Sequence, residues 1–155
     1  MTTQLPSASD ATTPTLYEQD YYSWLETTIN QLQYRRFDEV DLKNLLEELE
    51  DMGRSQKKAV QSNGTILLMH LLKYKYQPQK RSRSWRSSIV EHRRRLIVQL
   101  EDSPSLKRYF QDIFGKCYQD ACRDAATETG LPYDTFPTDS PFTPEDTLDP
   151  DYLPE

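Results

Sequence analysis

From Leu42 to Tyr74 the apolar residues keep a single helical phase. Leu42, Leu45, Leu46, Leu49, Met52, Ala59 and Val60 run into Ile66, Leu67, His70 and Tyr74 without a reset, as one face of a 3.6-residue helix must. The phase predicts one long helix from Leu42 to about Lys75, roughly 50 Å at 1.5 Å per residue. Gly53 and Gly64 lie inside it, each costing about 1 kcal/mol of helix propensity. A break near Gly53 is the alternative, but a break would reset the phase. The two glycines fall within about 20° of each other on the wheel, which points to a close crossing by another helix. Simple tolerance of glycine is the competing explanation.

The second half of this helix opens the stretch Asn63–Leu100, which also holds both histidines, His70 and His92. Leu68, Met69 and Leu72 make the helix apolar nearly all round, the pattern of a buried core helix. Pro78 must stop it, because the residue before proline is pushed out of the helical region. A second helix is expected to start near Ser82 or Ser84, either of which can cap it. Trp85, Ile89, His92, Leu96 and Leu100 form its stripe. The two arms make a helical hairpin with a basic connection.

The remaining segments read as follows. Residues 1–15 are Ser/Thr/Ala/Pro-rich and are expected to be disordered. Tyr17, Tyr21, Trp24, Leu25, Thr28 and Leu32 predict a helix from about Glu18 to Gln33. Asp41 can cap the long helix. Ser103-Pro104 marks another helix start, with Leu106, Tyr109, Phe110, Ile113, Phe114, Cys117, Ala121 and Ala125 in phase and Gly130 as its stop. Residues 131–155 hold seven acids, no base and six prolines, with one possible short turn begun by Thr143-Pro144-Glu145. Phe136, Phe142, Leu148, Tyr152 and Leu153 recur through this tail, so it is expected to lie against the body.

A chain of 155 residues is one domain by length. No apolar run approaches the ~20 residues of a membrane span, and the N-terminus lacks the charged and apolar regions of a signal peptide. Cys117 and Cys122 point about 140° apart on a helix, which disfavours a mutual disulfide and fits a reducing cytosol. The net charge of −6 hides a split. Residues 73–95 carry nine Lys or Arg against the single acid Glu91, a segment of +8, so the rest of the chain stands at −14. Such asymmetry speaks about partners rather than fold.

Several segments together resemble one family. They are the LYEQDYYSWL opening, LLEELEDMG, HLLKYKYQPQKRSRSWRSSIVEHRRRL and the closing FPTDSPFTPEDTLDPDYLP. In this order, and covering most of residues 16–155, they are similar to the bacterial proteins grouped as domain of unknown function 29. The resemblance implies a compact all-helical fold with many cyanobacterial relatives. It brings no agreed activity, so no catalytic residue is transferred.

Two groups of residues could carry chemistry. His70 and His92 sit on apolar stripes of neighbouring arms, where hydrogen-bonded core histidines are the plain explanation. Histidine also titrates near neutrality, and Arg86 with His92 forms an R-x5-H spacing similar to some small helical ribonucleases. Six residues on a straight helix put those side chains about 120° apart, which weakens the likeness. No Cys or carboxylate stands at a standard ligand spacing from either histidine, so no metal or cofactor is expected. The second group is Lys73, Lys75, Lys80, Arg81, Arg83, Arg86, Arg94 and Arg95, with Tyr74, Tyr76 and Trp85 interleaved. Bases of this kind can meet phosphates and rings can stack on nucleobases; alternatively, the rings are core and the charges pair with the chain's own acids. Gln56 and Asn63, on the core face of the long helix, are expected to tie helices together.

The expected fold is a single all-α domain of about four main helices, 16–130, after a disordered segment 1–15 and before an acidic tail 131–155 packed on the body. The expected function is that of a soluble, cytoplasmic interaction protein presenting residues 73–95 to an anionic partner, protein or nucleic acid. The alternative is a small metal-independent hydrolase or ribonuclease using His70 or His92.

Overall fold

The computed structural model describes residues 13–155. The described residues are all-helical, with no strand. The disorder expected for residues 1–15 falls mainly on 1–12, outside the described residues. Six α-helices follow in order: α1 (Leu16–Gln19), α2 (Tyr21–Gln33), α3 (Leu42–Tyr76), α4 (Arg83–Asp102), α5 (Leu106–Thr129) and α6 (Pro144–Leu148). Single 3-10 turns connect them at Phe37–Glu39, Pro78–Lys80 and Tyr133–Thr135. No helix among the described residues is long and apolar enough to cross a membrane.

The helix expected over Glu18–Gln33 is two helices. Asp20 interrupts it because its carboxylate accepts from Ser23 N at 3.0 Å and starts α2 as an N-cap. By contrast, α3 runs unbroken through Gly53, as its phase required. Asp41 caps it through Asn44 N at 3.4 Å, and Pro78 follows its end. Ser82, not Ser84, caps α4 by accepting from Trp85 N at 3.2 Å. Helix α5 begins at Leu106, two residues beyond Pro104, after a turn closed by Leu106 N donating to Ser103 O at 2.9 Å. Gly130 ends it in the left-handed region, φ 72°, where a side chain would be strained. Thr143 and Asp146 form a capping box on α6.

The chain divides after Met52 into two compact units. In the first, Trp24 and Thr28 are the buried residues among those described, and the rings of Tyr17 and Tyr21 lie against Trp24 at centroid distances of 4.8 and 5.9 Å. Tyr17 and Tyr21 both donate their hydroxyls to Glu48, at 2.5 and 2.7 Å. The carboxylate and partial desolvation push the Tyr17 phenol up to about 12.

The second unit, Gly53–Glu155, holds the hydrophobic core. Val60, Leu67, Leu68, Leu71 and Leu72 of α3 pack there with Ile89, Leu96 and Leu100 of α4 and with Phe110, Phe114, Cys117, Ala121 and Ala125 of α5. Gly64 marks a close crossing: a Cβ there would meet Phe110 Cε2 at 3.0 Å and Cys117 Sγ at 3.6 Å. Cys117 and Cys122 are free and buried.

The tail is packed on this unit. Phe136 and Phe142 are buried in the core, and Leu148 and Tyr152 pack against it. Phe136 meets Tyr76 edge-on at 5.5 Å, and Tyr118 donates to Pro137 O at 2.5 Å. These apolar anchors carry the docking, because an apolar ring leaving water contributes far more than an exposed ion pair.

Candidate functional site

Tyr74 organises the basic hairpin. It lies in the last turns of α3, buried, and three features of it engage arginines that follow in sequence. Its carbonyl accepts from Arg81 Nε at 2.8 Å, its ring lies under the Arg81 guanidinium at 4.2 Å, and its hydroxyl accepts from Arg86 Nε and Nη2 at 3.4 and 3.3 Å. An arginine can do this because its planar fork both stacks and donates. The 3-10 turn after Pro78 brings Arg81 back over the end of α3.

Lys73 is also committed internally. Its Nζ donates to Glu128 Oε2 at 2.6 Å and stands 4.8 Å over the Trp85 ring. Arg95 pairs with Glu91 one turn back on α4, at 2.5 Å. Arg93 is the most buried cation, 3 % exposed. It donates from Nε to Thr147 O at 2.9 Å and from Nη1 to Pro150 O at 3.4 Å. Burial pushes its guanidinium down from the ordinary value, and Asp149 and Tyr152 counter that. Arg81 Nη2 reaches Pro154 O at 3.5 Å. The tail thus meets the hairpin's arginines mainly with backbone carbonyls rather than with its carboxylates.

Of the eight basic residues singled out from sequence, Lys73, Arg81, Arg86 and Arg95 have partners within the chain. Among the described residues, Lys75, Lys80, Arg83 and Arg94 make no hydrogen bond or ion pair through their side chains. Lys80, Arg83 and Arg94 are exposed and Lys75 is partly so. The interleaved rings belong to the interior: Tyr74 is buried, Tyr76 packs on the core and Trp85 lies partly buried beneath Lys73.

The two histidines lie on the facing arms. His92 Nδ1 is 3.1 Å from Asn63 Oδ1, which assigns the Nδ1 proton to that bond, and Asn63 Nδ2 donates to Gln99 Oε1 at 3.1 Å. Asn63 therefore ties α3 to α4 as its position on the core face predicted. Gln56, expected to do the same, is exposed and makes no tie among the described residues. His70 is partly buried, with its Nδ1 sealed from solvent and without a hydrogen-bond partner. Burial, and then the Lys73 charge, push the His70 imidazole below its ordinary pKa; Glu128 opposes this. Burial and Arg95 do the same to His92. Both shifts favour the neutral imidazole. Arg86 is held by Tyr74, and among the described residues no hydrogen bond joins it to either histidine.

Among the described residues no group of three His, Cys, Asp or Glu side chains could hold a metal ion. A groove of 540 Å³ lies elsewhere, lined by Ile97, Leu100, Phe110, Leu148 and Pro150 with Glu101 and Lys107, and neither histidine reaches it. Sequence periodicity could not foresee it, because the tail supplies one wall. The roles of Thr147 and Pro150 as acceptors for Arg93 were equally hidden, since backbone carbonyls leave no residue signature.

No curated protein and no solved structure matches the chain. A family model does, over residues 16–153, nearly the whole described chain, and its description is Domain of unknown function DUF29. On that match the chain belongs to the DUF29 family.

Proposed function

We propose that this chain is a non-enzymatic interaction protein that presents its basic helical hairpin to an anionic partner in a reducing, cytoplasmic setting. The observation that supports it most is the division of labour among the cations. Lys73, Arg81, Arg86, Arg93 and Arg95 are used to build the hairpin, whereas Lys75, Lys80, Arg83 and Arg94 have no partner among the described residues. Cations with no acid against them among the described residues are available to phosphates or carboxylates outside the chain. Free, buried Cys117 and Cys122 fit a reducing compartment.

The hydrolase alternative draws on one observation, the sealed and unpartnered Nδ1 of His70. Against it, His92 is tied to Asn63, and among the described residues Arg86 is held by Tyr74 and bonds to neither histidine. Purified protein incubated with labelled RNA and DNA, with and without EDTA, separates the readings. The proposal expects retarded but uncut nucleic acid in both conditions. Cleavage that disappears in His70→Ala or His92→Ala would overturn it in favour of a nuclease.

A further inference from the structure

The inner stripe of α3 is covered along one part and open along another. From Val60 onward it is core, with Val60, Leu67, Leu71 and Tyr74 all buried. Before that, Leu42, Leu46 and Leu49 are 60, 50 and 54 % exposed. With Gly53 they are spaced four, three and four, the alternation of a coiled-coil seam, over roughly 16 Å of helix. The two glycines of α3 make the same contrast. The gap at Gly64 is filled by Phe110, whereas a Cβ at Gly53 would meet nothing within 4 Å. An exposed apolar stripe on one helix face is the kind of surface that a second helix can cover.

We propose that this stripe is the interface of a homodimer in which α3 of a second copy packs antiparallel across the same residues. The sequence of the stripe complements itself in that direction. Setting Leu46 opposite the partner's Leu49 also sets Leu42 opposite the partner's Gly53, so a leucine at one end faces the gap at the other. The same register brings Lys43 opposite the partner's Glu50 on one flank and Leu45 opposite the partner's Met52 on the other. Each pairing occurs twice about the two-fold axis, as an isologous interface demands. A parallel arrangement would set Gly53 against the partner's Gly53 and leave a void. Glu50 also interacts within its own chain; the register requires only that opposite signs face each other. The leucines supply the affinity and the charges set direction and register. So short a seam falls below the ~1,200 Å² of a standard interface, so the dimer forms in the micromolar range rather than the nanomolar one.

Sedimentation of the full chain between about 1 and 200 μM tests this, since a dimer of this strength must dissociate on dilution. The expected result is a monomer–dimer equilibrium for the native protein. Leu46→Glu with Leu49→Glu should weaken it by more than about a hundredfold, because it buries carboxylates in the seam. Circular dichroism should stay unchanged, both positions being exposed in the single chain. Lys43→Glu alone should weaken the dimer roughly tenfold, and Lys43→Glu combined with Glu50→Lys should restore it. Gly53→Leu should also weaken it by filling the seat of the partner's Leu42. A native protein that stays monomeric throughout, or a dimer untouched by the two glutamates, overturns the proposal. A dimer that the charge swap fails to restore overturns the antiparallel register.

Discussion

Arg93 Nε donates to the Thr147 carbonyl at 2.9 Å inside the second unit, so a charged group of the basic hairpin is closed off by the backbone of the acidic tail. The pair joins residues fifty-four positions apart and fixes α6 beside α4. Its second bond, to Pro150 O, uses the other edge of the same guanidinium.

Truncation of this arginine is expected to be costly. Arg93→Ala removes a buried donor and leaves two carbonyls without a partner, so unfolding in urea should show a loss of roughly 2–4 kcal/mol. Arg93→Lys should recover only part of that, because an ammonium cannot span both carbonyls as the planar fork does. A loss below about 0.5 kcal/mol for Arg93→Ala, the range of ordinary surface changes, would contradict the buried role.

The Asn63–His92 bond is expected to behave as a unit. His92→Ala should lower stability by about 1–3 kcal/mol, and Asn63→Ala by a comparable amount. The double variant should lose less than the sum, since each single change already breaks the same bond. Strict additivity in the cycle would show the two side chains to be independent.

Both histidines make stability depend on pH. Burial holds each folded-state pKa below the ordinary 6.5. Below 6.5 the unfolded chain therefore binds more protons than the folded one, so their contribution is full above 6.5 and is lost as pH falls through the folded values. The urea midpoint should drop between pH 7.5 and about 5.5, before most carboxylates titrate. The variant His70→Gln/His92→Gln should show a flatter profile over that window. An equally steep profile in the variant would assign the effect to other groups.

The two glycines of α3 should respond in opposite senses. Gly64→Ala must displace the buried Phe110 ring, and the crowding should outweigh the helix-propensity gain by about 1 kcal/mol. Gly53→Ala meets nothing within the chain and should raise the stability of dilute, monomeric protein by about 0.5–1 kcal/mol. Melting temperatures that move the same way in both variants would contradict the difference in packing.

Much of this fold is legible in the sequence because helix phase is a local signal. The unbroken phase from Leu42 to Tyr74 gave one helix despite two glycines, and Gly130 and Pro78 marked real ends. The interruption at Asp20 was harder, because an aspartate inside an apolar repeat is ambiguous until its bond to Ser23 N is seen. The basic patch was only half legible. Composition shows that residues 73–95 are cationic, but whether Arg81 stacks on Tyr74 or faces solvent depends on how the chain turns after Pro78. The Arg93 acceptors were illegible, being main-chain carbonyls brought near by a tail of irregular structure.

The salt dependence of polyanion binding tests the functional reading most directly. If Lys75, Lys80, Arg83 and Arg94 neutralise about four phosphates of a single strand, the affinity of the native protein for labelled RNA should fall with salt at a log–log slope of about −3. The variant Lys75→Gln/Lys80→Gln/Arg83→Gln/Arg94→Gln should stay folded, since none of the four has a partner among the described residues, and should lose both the binding and the slope. Equal affinity and slope in the two proteins, or no binding by the native protein at low salt, would contradict the account.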